Sequence, residues 1–450
     1  MKNKLQYAAG LVTFAMLQPA AADIIYSGYQ NITIPTNFTG VSLTVDGGMI
    51  NPFFGGVGVA NNANFQPVRA GTGGMDPILN LATGSTVDSS SNYYASGAGG
   101  SQSHLGSGSG QFIASTDGYL GMKLSNIDYG WMRMFFTNNT SGAVIKDWAY
   151  DNTPGAAISV GNIVQSAPTA GAQTVTLSSD TGKSFTLGTQ ITNILGNSGG
   201  VTNSLIKNGA GIAILTLSNT YSGITAVNAG KLIINGSGSI NNSSGTTVAA
   251  GARLIYNSST ALTSSISLSG AGTSSRAILG GSGTIGASVT LDNFGDTLSP
   301  GNSPGIQTFT PAQTWSSFSY DWEVNNFTGT TAGTDFDQLG LGSTLDLTGG
   351  SGSYILNVLG LTASNVGGNV LNFSDINRSW SILTSTGGIT GFNAANWAIN
   401  TAGFTDTTTG TWAIAQSSND LVLSYTVVPE TNVAALLGGF ATLVLLRRRR

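Results

Sequence analysis

The sequence predicts an all-β chain: an N-terminal β-sandwich-like domain, then a parallel β-helix (a solenoid), then a C-terminal hydrophobic helix. Three observations carry this. Only 36 of 450 residues are charged, and Ser, Thr, Asn and 64 glycines fill the positions that Lys and Glu usually occupy. Strands and tight turns accept that mix, whereas helices do not. Short runs alternate apolar and polar residues between Gly/Asn/Ser clusters, which is the period of a half-buried strand. From about 206 onward, apolar positions recur at a spacing of roughly 20–22 residues, the sign of a stacked repeat. Hydrophobic residues make up 40% of the chain, and Gly plus Pro number 75 of 450. That share lies below the ~25–30% that marks low-complexity disorder. Cysteine is absent, so the fold must rest on a long buried core instead of disulfides.

In chain order, residues 1–22 have the three parts of a secretory signal peptide. Met1-Lys2-Asn3-Lys4 is a positive n-region, Gln6 to Leu17 a mostly apolar h-region, and Ala20-Ala21-Ala22 a small-residue cleavage site before Asp23. Cleavage is expected between Ala22 and Asp23, so the rest of the body is exported. That body, 23–428, keeps 10 Lys/Arg and 19 Asp/Glu, a net charge of −9. Its cations are scattered singly, which argues against nucleic acid as a partner, because phosphate neutralisation needs clustered Lys and Arg.

Residues 23–165 are expected to form the sandwich-like domain. Ile32-Thr33-Ile34, Val41 to Val45 and Gln111-Phe112-Ile113 read as strands. Tyr129 to Phe136 and Val144 to Tyr150 flank a polar connector with Gly142 and read as a hairpin. Tyr129, Trp131, Trp148 and Tyr150 allow two readings, a carbohydrate-binding face or core; aromatics at strand spacing are usually core. The single histidine, His104, lies in loop-like Ser101-Gln102-Ser103-His104-Leu105-Gly106-Ser107. With one histidine and no cysteine, a His-based metal cluster or a thiolate site has no ligands. A Ser-His-Asp triad would depend on His104 alone, and a solvated loop histidine is expected. No catalytic residue, metal site or cofactor is therefore expected.

Residues 170–310 are expected to be the β-helix. Ile206, Val227, Val248, Leu268, Val289 and Phe309 follow at 21, 21, 20, 21 and 20 residues, and Ile212, Ile234, Tyr256 and Ile278 at 22 each. The flanks also repeat, with Thr225-Ala226-Val227-Asn228-Ala229-Gly230 matching Thr246-Thr247-Val248-Ala249-Ala250-Gly251. A coil of this length cannot bury its inner face alone, so neighbours must stack. Residues 311–428 read as a β-rich continuation or cap of the solenoid, with longer strands such as Phe318 to Val324 and Ser379 to Thr384. Asp335 and Asp337, at i and i+2 on a strand, would point to one face, where Ca²⁺ could meet oxygen ligands. With no third ligand nearby, solvated turn acids are the expectation.

Residues 429–450 close the chain with Val428-Pro429-Glu430, an apolar run from Val433 to Leu446, and Arg447-Arg448-Arg449-Arg450. The run would expose aliphatic surface in water, whereas beside a bilayer the arginines stay cytoplasmic. At ~1.5 Å per residue it spans ~21 Å, short of the ~30 Å hydrocarbon core. The tail is thus a segment handled briefly by an enzyme or a weak single-pass anchor; a GPI signal, which ends apolar, fits less well.

This order of pieces resembles the PEP-CTERM protein-sorting signal of bacterial exported proteins, although Thr431 stands where that family usually has a second proline. The resemblance implies that the export machinery and an exosortase, a membrane cysteine protease, are partners. It also implies localisation at the cell envelope or surface, with the membrane engaged through the C-terminal helix before processing and release to an extracellular matrix as a further outcome. The run Tyr129-Gly130-Trp131 to Asp147-Trp148-Ala149-Tyr150 is similar to a segment recurring in such proteins. A second resemblance lies in Lys207 to Gly223 with Val227 to Leu232, which look like the autotransporter-associated β-strand repeat. Leu279 to Gly286 and Leu298 to Gly305 are similar to the closing turns of such passengers.

Three function classes follow. A non-enzymatic structural or interaction protein, adhesin- or matrix-like, is the expected one. A β-helix protein that binds or degrades extracellular polysaccharide is the alternative; a hydrolase needs convergent carboxylates, and 206–290 carries Lys207, Lys231, Arg253 and Arg276 with no acid. An autotransporter adhesin would also need an outer-membrane barrel of amphipathic strands, which the C-terminal pattern does not offer.

Overall fold

The computed structural model describes residues 23–428, apart from 57, 75, 96, 99–110, 138–141, 168–171, 196–201 and 350–353. The signal-peptide residues Ala20 and Ala22, the loop around His104, Pro429, Glu430, the apolar run and Arg447, Arg448, Arg449 and Arg450 lie outside the described residues. The hydrophobic helix expected at the C-terminus therefore belongs to no described element. Among the described residues the fold is all-β, with two short 3-10 turns and no helix long and apolar enough to cross a membrane. They form two compact units: one runs to Thr202 and includes Gly211–Leu215, and the other holds Asn203–Ala210 and the chain from Thr216 onward.

In the first unit the expected hairpin is present. Tyr129–Phe136 pairs antiparallel with Ala143–Asp151 from Gly130↔Tyr150 to Phe136↔Ala143, with a bulge after Arg133. Asp117–Leu124 flanks it on one side and Asp23–Tyr26 on the other. Asp23–Tyr26 then runs parallel to Ser184–Leu187, which runs parallel to Ile212–Leu215. A second sheet is an antiparallel meander of Leu43–Val45, Gly48–Phe53, Gly58–Asn61 and Gly97–Ala98. Val45, Ile50 and Val59 from this meander bury into one cluster with Met122, Met132, Met134, Phe136 and Ile145 from the hairpin sheet. Two sheets thus share one core, as alternating strands require. Gln111 to Ile113 forms no strand: Phe112 is core, but Ile113 is 60% exposed.

The second unit is a stack of parallel coils. On its longest face Lys231–Gly236, Arg253–Ser258, Ala277–Gly281, Asp292–Pro300, Ser317–Val324, Tyr354–Gly360 and Trp397–Gly403 pair in parallel order. Their registers align Leu232, Leu254, Leu279, Leu298, Tyr320, Leu356 and Ile399 in one ladder. The first six are essentially fully buried. A second face stacks Thr225–Val227, Thr246–Ala249, Ile266–Ser269 and Val289–Thr290. A third stacks Thr284–Ile285, Ile306–Phe309, Gln338–Leu341 and Arg378–Ser385. Gly230 and Gly251, both at positive φ (63° and 84°), turn matching corners between the first two faces. Only glycine takes that geometry freely, which explains the repeated Ala-Gly flank.

The apolar spacing holds where coils have equal length and slips where they do not. Val227, Val248 and Leu268 stack as expected, as do Ile234 and Tyr256. Ile206 is off by one, since Lys207 is the partner of Val227. Val289 pairs with Ile266, Ile278 with Arg253, and Phe309 lies on the third face beside Ile285. Extra residues between Ser258 and Ala277 lengthen that coil and shift the count.

Further on, the ladder positions move 36 residues from Tyr320 to Leu356 and 43 from Leu356 to Ile399. The wider interior is filled with rings: Trp315, Phe318, Tyr320, Trp322, Phe327 and Tyr354 are all buried. Phe318 and Tyr354 meet edge-on at 5.4 Å, and Tyr354 and Trp397 stack at 4.9 Å. Beyond the parallel order, Asp420–Thr426 turns antiparallel against Arg378–Ser385 and pairs with Thr411–Ser417. Replacing Leu254 by Ala opens a hole in the middle of the ladder. We expect a loss of about 2–5 kcal/mol in denaturant unfolding monitored on the second unit, whereas the exposed Leu371→Ala on the same unit changes stability by less than about 0.5 kcal/mol.

Candidate functional site

Tyr129 and Trp131, half of the possible carbohydrate face, are 2% and 0% exposed, and Trp148 and Tyr150 pack against the core cluster. Trp131 Nε1 donates to Asn162 Oδ1 at 3.0 Å. Tyr129 and Trp131 are core, and Trp148 and Tyr150 are partly buried against it.

Beside them is a buried charge network. The bulge after Arg133 leaves its guanidinium opposite Asp147, to which it donates in a fork, with Nε–Oδ1 at 2.9 Å. The Tyr26 hydroxyl donates to Asp147 Oδ2 at 2.7 Å, and Arg133 Nη2 also donates to Gln165 O at 2.6 Å. Asp117 bridges Arg133 to Lys146 at the rim. Burial works against the Arg133 charge, yet the Asp147 carboxylate outweighs it and raises its pKa. Burial pushes the Asp147 carboxyl up, while Arg133, the Tyr26 hydroxyl and the Gln165 N–H act the other way. The fork, the Tyr26 hydroxyl and the Gln165 N–H describe a buried ion pair with both carboxylate oxygens accepting, a structural arrangement and not a reactive one.

In the solenoid, Asp335 and Asp337 are not on a strand and do not share a face. Asp335 lies in a turn, its carboxylate accepting from Thr331 N at 2.9 Å and Asn326 Nδ2 at 3.1 Å. Asp337 is no solvated turn acid: it is fully buried, and its two oxygens accept from Gly305 N at 2.6 Å and Glu323 N at 3.0 Å. Trp322 Nε1 donates to its carbonyl. Burial, then the Glu323 charge, raises its pKa well above the usual carboxylate range. Asp337 thus pins the Leu298 to Gly305 turn of the preceding coil, a role invisible in local sequence because the partner is 32 residues away.

On the outward side of the longest face, Arg276 Nη1 donates to Asp321 Oδ1 at 2.7 Å, Asn357 Nδ2 donates to the same atom at 2.7 Å, and Asn400 Nδ2 donates to Asn357 Oδ1 at 2.9 Å. Glu323 lies two residues along from Asp321, its pKa raised by burial against a hydrogen bond from Ser303. Asp321, Asn357 and Asn400 stand on three successive coils, and Arg276 reaches Asp321 from two coils away. Lys207 is buried at a coil corner and donates to the carbonyls of Asn208, Gly209 and Ala229 at 2.7–3.2 Å. Burial brings its pKa down to about 8.

One group in the first unit has no partner of this kind. Asp46 and Asp128 face each other, and burial, then the hydrogen-bonding contact and charge of Asp46, then Asp151, push Asp128 up to about 6.

The second unit is thus a stack of parallel coils with glycine corners. Consistently, residues 205–234 match the family model of the passenger-associated transport repeat. This is an autotransporter-associated β-strand repeat, and the matched residues include Lys207, Val227 and the Gly230 corner. No curated protein matches the chain.

Removing one half of the buried ion pair strands the other. Asp147→Ala is expected to cost about 3–5 kcal/mol. The double variant Arg133→Met/Asp147→Leu should cost much less than the two single changes together. A double-mutant cycle in urea reads the difference.

Proposed function

We propose that the chain is a non-enzymatic exported protein, a structural or interaction passenger delivered to the cell envelope and processed there. The stacked β-solenoid carrying the passenger-associated transport repeat at 205–234 is the observation that supports this most. In this reading the signal peptide directs export and is removed before Asp23, the first residue of strand Asp23–Tyr26. The tail from Val428 through Pro429 and Glu430 to Arg450 acts as a PEP-CTERM-like sorting signal, read by an exosortase-like protease with the arginines cytoplasmic. The apolar run holds the protein at the membrane until then. In this reading no catalytic role falls to the body, and buried carboxylates such as Asp147 and Asp337 hold structure through arginine and backbone N–H groups.

A second reading, polysaccharide contact, is favoured by one feature, the Arg276–Asp321–Asn357–Asn400 ladder. Its Asp321, Asn357 and Asn400 sit on successive coils roughly 4.8 Å apart, a repeat that suits a chain of hydroxyls.

Intact-mass analysis of envelope and medium fractions tests the main reading. We expect a mature protein that starts at Asp23 and ends near Pro429–Thr431. A surface protein that retains Arg450 contradicts enzymatic sorting, and release of reducing ends or unsaturated products from polysaccharide contradicts the absence of catalysis.

A further inference from the structure

We propose that Asp46 and Asp128 form a calcium site where two hairpin turns of the first unit meet. Asp46 and Gly47, at φ 44° and 72°, are the two-residue turn that closes Leu43–Val45 onto Gly48–Phe53. This is the primed turn that Asp-Gly favours. Asp128 ends the turn between Asp117–Leu124 and Tyr129–Phe136, closed by Ile127 N to Leu124 O at 3.1 Å and Leu124 N to Asp128 O at 2.8 Å. Ser125 Oγ donates to Asp46 O at 2.8 Å and ties the two turns together. Each carboxylate is thus brought in by its own backbone turn and fixed there.

What the pair lacks sets it apart. Asp46 Oδ2 and Asp128 Oδ1 are both buried and accept no hydrogen bond, and Asp128 is only 3% exposed. Elsewhere this chain satisfies buried carboxylates fully, Asp147 with Arg133 and Tyr26, and Asp337 with two backbone N–H groups. The titratable groups that act on the Asp46–Asp128 pair are Asp151 and Tyr150, and neither supplies positive charge. Two facing carboxylates with orphaned oxygens are costly unless a cation sits between them.

The chemistry selects the ion. Among the described residues no group of three or more His, Cys, Asp or Glu is gathered for a metal. The ion must therefore complete its shell with water and backbone carbonyl oxygens. Ca²⁺ does this, taking 6–8 oxygens at flexible angles, whereas Mg²⁺ demands a near-ideal octahedron and Zn²⁺ prefers nitrogen and sulfur. Two carboxylates neutralise one Ca²⁺, and so few protein ligands place the affinity in the range of about 10⁻⁴–10⁻³ M typical of extracellular modules.

Thermal unfolding of the full protein after EDTA treatment, with and without CaCl₂ or MgCl₂, tests the site. Calcium at about 5 mM should raise the first unit's midpoint by about 2–4 °C, with a smaller shift from magnesium. Asp46→Asn and Asp128→Asn should each abolish the calcium shift. Asp128→Asn should also melt at or above the wild type in EDTA, because the like-charge pair is gone, and this shows that the variant folds. Asp335→Asn should keep the shift. A wild-type midpoint indifferent to calcium, or a shift that survives Asp128→Asn, overturns the proposal. So does a midpoint that rises on acidification toward pH 5 without any calcium response, since a shared proton then serves in place of the ion.

Discussion

Coil-on-coil stacking is the constraint from which the second unit's other features follow. A single coil of about twenty residues has one apolar face and no second layer to cover it, so its inward side chains are buried only by the coils above and below. Leu232, Leu254, Leu279 and Leu298 meet this requirement in register, one per coil, all fully buried. Parallel pairing keeps each strand's inward residue above that of its neighbour, so a ladder forms wherever the coil length permits. The outward residues are then free to be Ser, Thr and Asn, which explains how so uncharged a sequence remains folded.

Coil length then dictates the contents of the interior. Narrow coils are filled by Leu, Val and Ile, with Tyr221 and Tyr256 placing their hydroxyls on Thr225 and on the Thr260 carbonyl. Wide coils would leave voids if filled the same way, and voids forfeit dispersion contacts. Trp315, Phe318, Trp322 and Trp380 occupy that space through edge-to-face and tilted contacts at 5.2–5.4 Å. Ring packing also holds the reversal near the end, where Trp412 stacks on Trp380 and meets Tyr425 at 5.0 Å. Buried polar side chains such as Asp337 and Lys207 fasten turns and corners to adjacent coils, so the same stacking that buries the apolar face gives these two groups their partners.

These relations explain which features the sequence reveals. The Tyr129–Phe136 hairpin is legible because both strands alternate and lie close in sequence. The Val227, Val248 and Leu268 stack is legible because those coils differ in length by one residue. Ile278 and Val289 are misplaced by counting because the coil before them is longer, and simple spacing carries no record of an inserted turn. Asp335 and Asp337 look alike in sequence, yet one sits in a turn while the other is buried against Gly305, a contact set by stacking and not by neighbours. The pairing of Asp46 with Asp128, 82 positions later, emerges only when the two hairpins meet.

Hydrogen exchange read by mass spectrometry tests the stacking most directly. The stacked-coil account predicts that peptides from Arg253–Ser258, Ala277–Gly281 and Asp292–Pro300 exchange slowest in the second unit. It also predicts that Leu279→Asn, which leaves a polar group unpaired in the ladder, weakens protection in the coils on both sides together. Rapid exchange across 231–300 in the unaltered protein, or protection that survives Leu279→Asn unchanged, would contradict it.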